Sequence, residues 1–117
     1  MIEKFGIGID IIDIKKFQKI PYNLKPSFYK KLFRKNEITY CLKFKNSSEH
    51  FAGKFALKES VQKSIQENIT FKKIETYYIN SKPKIKIKNQ EKKYTFITSI
   101  SHEKKYAIAI AISKKKN

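Results

Sequence analysis

The sequence predicts a small α+β domain with an N-terminal strand, a helical middle and a C-terminal set of antiparallel strands. Three observations carry this. Residues 5–12 form a short apolar run rich in isoleucine, residues between 26 and 66 set apolar side chains at helical spacing, and from Ile69 onward β-branched and aromatic residues dominate in short runs. A chain of 117 residues fits one domain around a single modest core. The domain is expected over residues 1–113, with 114–117 as a basic disordered tail.

Phe5 to Ile12 reads as a buried strand. A basic segment follows from Asp13 to Ile20 and is stopped by Pro21, with Lys15 and Lys16 on a surface helix. Pro26 opens a second helix at its first turn, with Phe28, Leu32 and Phe33 at helical spacing. Asn36 is the expected cap of a short helix that points Ile38, Cys41 and Leu42 inward. Asn46-Ser47-Ser48 makes a loop or cap before the longest helix, His50 to Gln66, on which Phe51, Ala52, Phe55, Ala56, Glu59 and Lys63 share a face. Strands are expected at Ile69–Ile79, Ile85–Lys88, Tyr94–Ile100 and Tyr106–Ile112, with a turn at Ser81-Lys82-Pro83.

Composition removes several classes. Hydrophobic residues make up 40% and aromatic residues 14%, too apolar for a disordered chain. No apolar run approaches the roughly 18 residues of a membrane span, and no charged and apolar leader opens the chain, so a cytoplasmic protein without a membrane partner is expected. Cys41, the single cysteine, has no partner for a disulfide and no ligand-spaced neighbour for a metal; it reads as a small buried hydrophobe. The formal charge of +17 is the footprint of a nucleic-acid binder. However, Arg34 is the single arginine, and base readout and two-pronged phosphate contacts favour arginine. A basic face for a small polyanion or an acidic protein uses the charge better, and a lysine-rich nucleic-acid-binding module remains the rival.

All three glycines stand near one of two acids: Gly6 and Gly8 precede Asp10, and Gly53 precedes Glu59. Glycine in a strand lets a ligand or another backbone approach closely. A carboxylate among isoleucines loses hydration unless it is paired or bound to a cation. Two readings of these acids stand side by side. In one, Asp10 caps the following segment and Glu59 pairs with Lys63 on a solvated helix face. In the other, both acids serve Mg2+, which uses one or two carboxylates together with substrate phosphates, while Lys54, Lys58 and Lys63 balance the remaining phosphate charge.

Three blocks resemble the small bacterial holo-[acyl-carrier-protein] synthases, a type of 4'-phosphopantetheinyl transferase. They are G-I-G-I-D-I-I-D-I at 6–14, H-F-A-G-K-F-A-L-K-E-S-V-Q-K at 50–63 and T-S-I-S-H-E-K-K-Y-A-I-A at 98–109, with a weaker F-Y-K-K-L-F-R-K-N-E at 28–37. The resemblance implies that Asp10 and Glu59 hold Mg2+ against the diphosphate of coenzyme A, and that Lys63 meets the phosphates with Lys54 and Lys58 near it. It further implies that His102 lies close to the substrate and that Lys16 contacts an acidic apo acyl carrier protein, for which Lys15 on the same surface helix offers a second charge. Ile12 stands where larger monomeric relatives carry a second acid, which implies a homotrimer with sites between subunits.

The implied reaction moves 4'-phosphopantetheine from coenzyme A to a carrier-protein serine and releases adenosine 3',5'-bisphosphate. Asp10 and Glu59 are both candidates for the base, acting through water, and an inactive scaffold of the same fold is the second alternative. The chain departs from the family pattern in places. K-S-I-Q-E-N-I-T replaces a glycine-bearing loop after the long helix, Ser81-Lys82-Pro83 replaces Gly-Lys-Pro, Arg34 replaces a small hydroxyl residue, and Lys16 replaces an arginine.

Overall fold

A computed structural model describes residues 2–117. After a 3-10 turn at Ile2–Lys4 come β1 (Phe5–Asp13), α1 (Lys15–Gln18), α2 (Pro26–Leu32), α3 (Lys35–Leu42) and α4 (Ser47–Ser64). A second 3-10 turn, Phe71–Lys73, leads into β2 (Ile74–Ile79), β3 (Lys82–Ile87), β4 (Tyr94–His102) and β5 (Tyr106–Lys115). The first, fourth and fifth strands form one antiparallel sheet in the order β1-β5-β4, and β2-β3 is a separate hairpin. The expected α+β order of strand, helices and strands is the observed one.

The long helix lies on the sheet because the sheet is nearly bare there. Gly6, Gly8 and Asp10 on β1 sit opposite Ser113, Ala111 and Ala109 on β5. A Cβ on Gly8 would stand 1.9 Å from the Ser60 carbonyl oxygen, and one on Gly6 would stand 1.8 Å from that of Ser64. The two glycines thus admit the helix backbone, the close approach that glycine in a strand permits. Beyond the sheet, Phe17, Tyr29, Phe33 and Phe51 fill the space between α1, α2 and α4, all at most 1% exposed. The Tyr29 hydroxyl donates to the Ile20 carbonyl at 2.5 Å, and burial pushes its pKa up to about 12.

Several boundaries differ from expectation for local reasons. Arg34, not Asn36, is the N-cap of α3; its backbone N–H donates to Glu37 Oε1 at 2.7 Å, while the Asn36 amide donates to Glu75. Ile38 and Cys41 point inward, but Leu42 is 45% exposed because the helix ends there. The strand expected from Ile69 begins only at Ile74, since Phe71 turns back to pack on the Phe55 ring at 5.2 Å. The hairpin turn is Asn80-Ser81, with φ of 51° and 65°, and Pro83 belongs to β3. Two successive left-handed residues match the twist of antiparallel strands. The basic tail starts later than expected, because Lys114 pairs with Phe5 and Thr95 and β5 runs to Lys115.

Candidate functional site

The expected site residues separate into three places on or around α4. The first is the contact with β1. Lys63 Nζ donates to Asp10 Oδ1 and to the Ile9 carbonyl, each at 3.1 Å. The Asp10 side chain is 13% exposed and that of Lys63 51%, so the pair sits at a solvent boundary. Glu59 is half-buried one turn before Lys63, next to Ser60, whose carbonyl lies against Gly8. Lys63 therefore pairs with the strand carboxylate and not with Glu59, and both acids flank the glycine contact.

The second place is the interior, where two of the lysines expected near the phosphates lie. Lys58 is fully buried, and its ammonium donates to Glu37 Oε1 at 2.6 Å and to the Leu32 and Phe71 carbonyls at 2.9 and 3.1 Å. All three donors of the ammonium are satisfied inside the protein. Burial pushes its pKa down to about 8, against the pull of Glu37. Lys54 is 1% exposed and donates to the Thr76 carbonyl at 3.1 Å and hydroxyl at 2.9 Å, with its charge over the Tyr40 and Tyr78 rings. Burial lowers its proton affinity too, with Cys41, Glu37 and Glu75 opposing. Lys58 has no donor left for a solvent-borne phosphate, whereas Lys54, though buried, lines a cavity of about 770 Å3 with Tyr40 and Tyr78. Both lysines occupy the buried side of the helix, where an ammonium needs fixed acceptors.

Glu37 is the residue that sequence reasoning missed. Its second oxygen, Oε2, accepts from the Thr76 backbone at 2.8 Å and from the Thr76 hydroxyl, so one carboxylate ties α3, α4 and β2 together. The available signal was its place three residues after the N-cap of α3, a capping-box position.

The third place is a cavity of about 380 Å3 near the start of α4, lined by His50, Gly53, Tyr78, Ile100 and His102 among others. His102 is exposed at the end of β4, opposite Ala107, with its ring 6.3 Å from that of His50. A helix rises ~1.5 Å per residue, so the span from His50 to Glu59 is roughly 13 Å. Within one chain His102 and the carboxylates are therefore separate. Lys15 and Lys16 are exposed on α1, and Lys16 Nζ sits 4.2 Å over the Phe55 ring.

The donor set suits a hard cation. Two carboxylates at a solvent boundary match the way Mg2+ takes one or two acids and completes its shell with waters and substrate phosphate. Among the described residues no group of three or more His, Cys, Asp or Glu could hold a metal, so the protein alone builds no closed cage.

Fold and site together define a small α+β protein with two acids and a lysine at a helix–strand contact. Residues 6–111 match the 4'-phosphopantetheinyl transferase superfamily, and the chain belongs to this family of transferases. It is 42% identical over 111 residues to a holo-[acyl-carrier-protein] synthase of Mycoplasma capricolum subsp. capricolum, covering 93% of this chain and 94% of the relative. It is 37% identical to the synthase of Thermodesulfovibrio yellowstonii, covering 96% of this chain and 98% of the relative. The crystal structure of the Helicobacter pylori synthase in complex with coenzyme A matches with a TM-score of 0.79 and 30% identity, covering 92% of this chain and 99% of that one. The Bacillus anthracis synthase in complex with CoA (3',5'-ADP) matches with a TM-score of 0.80 and 28% identity, covering 95% and 96%.

Proposed function

We propose that this chain is a holo-[acyl-carrier-protein] synthase that transfers 4'-phosphopantetheine from coenzyme A to a serine of an apo acyl carrier protein. The observation that carries the proposal is the Asp10–Lys63 contact beside Glu59, in a chain whose relatives bear that name. Asp10 and Glu59 would hold Mg2+, which supplies charge neutralisation for the diphosphate and the leaving group. Lys63, half-exposed and already anchored on β1, orients and neutralises a phosphate oxygen.

The serine oxygen forms a bond to the phosphorus that carries pantetheine. The bond from that phosphorus to the bridging oxygen breaks, and adenosine 3',5'-bisphosphate leaves with the electron pair. The serine proton passes through an ordered water to Asp10 or Glu59. Coenzyme A, Mg2+ and apo carrier protein mixed with this chain should yield a phosphopantetheine adduct on the carrier serine by mass spectrometry. No adduct from the folded protein overturns the reading.

A homotrimer with sites shared between subunits belongs to the same proposal. Its support is the outer face of the main sheet, where Ile7, Ile9, Ile11 and Ile97 are 65%, 61%, 59% and 72% exposed. In register they lie beside Ile108, Ile110 and Ile112 of β5. An apolar patch of this kind marks an association surface. Subunit contact would also bring a neighbour's His102 toward Asp10 and Glu59, which one chain keeps apart. Light scattering at micromolar concentration should give three times the chain mass, and a fully active monomer would remove the trimer.

A further inference from the structure

His50 has no role in the reaction described above, yet it is set as carefully as His102. Its ring lies almost flat on Phe44, with centroids 3.7 Å apart and planes 19° apart, which fixes the imidazole plane. The His102 ring meets it at 62° and 6.3 Å, and both rings line the cavity of about 380 Å3. Among the described residues, no protein group accepts from or donates to either ring by hydrogen bond. Their nitrogens are left for water or a ligand.

The charged and titratable groups facing His50 are Glu49 and Lys54 on its own helix, Tyr40 from α3, Tyr78 from β2 and His102 from β4. Burial lowers its proton affinity first, His102 and Lys54 lower it further, and Glu49 opposes them. The carboxylate of Glu49 accepts from the Asn46 amide, and that of Glu103 turns back to the Lys105 and Tyr106 backbone. A ligand bringing negative charge would offset the cost of burial and favour the protonated His50 ring. Two N–H donors at about 2.8 Å from adjacent oxygens fit on either side of one tetrahedral anion.

We propose that His50 and His102 together cradle a phosphate of coenzyme A, each ring donating one N–H, with His50 taking up a proton on binding so that affinity tightens as pH falls. The inference rests on coenzyme A being the substrate. It assigns His50 a binding role and adds a pH dependence to coenzyme A binding. By linkage, affinity rises on acidification in proportion to the protons taken up, because a bound anion raises a His50 proton affinity that burial has lowered.

The test is calorimetric titration of coenzyme A with Mg2+ into the wild-type protein, His50→Phe and His50→Gln, at pH 6.5 and 8.5, in two buffers of different ionisation heat. His50→Phe keeps the stack on Phe44 and loses the proton, and His50→Gln serves if that variant fails to fold. Wild type should take up protons on binding. The variant should take up fewer, bind about tenfold more weakly at pH 6.5 and approach wild-type affinity at pH 8.5. An unchanged proton uptake and pH profile in a folded variant overturns the inference while coenzyme A binding stands. Failure of wild type to bind coenzyme A overturns the functional reading itself, and this one with it.

Discussion

Lys58 and Lys63 stand five positions apart on one helix, and each pairs with a carboxylate from another element. The first pair, with Glu37, is closed to solvent at 2.6 Å and 0% side-chain exposure on both sides. The second, with Asp10, is longer at 3.1 Å and leaves the lysine half in water. The difference lies in what each ammonium can still do. Lys58 spends all its donors on fixed protein acceptors, whereas Lys63 has one ion pair and one carbonyl and keeps a hydrated side that a phosphate can occupy. Identical residues on one helix thus divide into an internal brace and a ligand-facing charge.

The largest effect should come from unpairing the brace. Glu37→Gln or Lys58→Met alone leaves a buried charge without its partner, which costs about 3–5 kcal/mol. Because Glu37 also holds Thr76 and the Arg34 backbone, Glu37→Gln should lower the melting temperature by more than about 10 °C. The double variant Glu37→Leu with Lys58→Met should recover part of the loss. Single variants that melt like wild type would dissolve the distinction between the two pairs.

The solvent-edge cluster should respond in the opposite way. Asp10→Asn and Glu59→Gln are each expected to slow transfer by at least about a hundredfold, the scale of losing a strong electrostatic group at a reacting centre, with little change in melting temperature. Thermal denaturation and a single-turnover assay on the same samples read both quantities. A folded variant of either acid that transfers at the wild-type rate would take that residue out of the site.

Gly8→Ala tests the junction that positions the solvent-edge cluster. Its new Cβ would stand 1.9 Å from the Ser60 carbonyl, a backbone atom that cannot swing aside, and 2.9 Å from the Lys63 Cβ. Overpacking of this kind costs about 1–3 kcal/mol. Both readouts should fall together, because the shift that relieves the clash also moves Glu59 and Lys63 away from Asp10. Loss of stability with full activity would show that the helix–strand distance does not set the site.

What the sequence made legible follows the same division. Gly6 and Gly8 advertised a close approach and Asp10 an acid needing company, because small residues and lone charges in an apolar strand have few explanations. The burial of Lys54 and Lys58 was not legible. Their acceptors come from Thr76 on β2, Glu37 at the start of α3 and two loop carbonyls, contacts that only the folded chain creates. A helix face read as F-x-x-x-F next to K-x-x-x-K gives no sign of which stripe points inward when both are covered. His50 went unread for a related reason, since its partner Phe44 lies in the connection before the helix and His102 comes from the far end of the sheet.

The smallest effect concerns a lysine that belongs to neither pair. Lys16 is exposed on α1, and its ammonium rests 4.2 Å over the Phe55 ring, so its charge is held near one spot on the surface. An acidic carrier protein arriving there would feel mostly long-range attraction, which raises the association rate more than it deepens binding. That attraction is screened as the Debye length shortens to about 8 Å near physiological salt. Lys16→Glu should therefore raise the apparent KM for carrier protein by about three- to tenfold at low salt and by less at moderate salt, with the KM for coenzyme A unchanged. Lys63→Gln should do the converse and raise the KM for coenzyme A first. Equal effects of both variants on both substrates would mean that the basic surface attracts anions without distinction, and that the position of a lysine along this helix pair does not decide which substrate it serves.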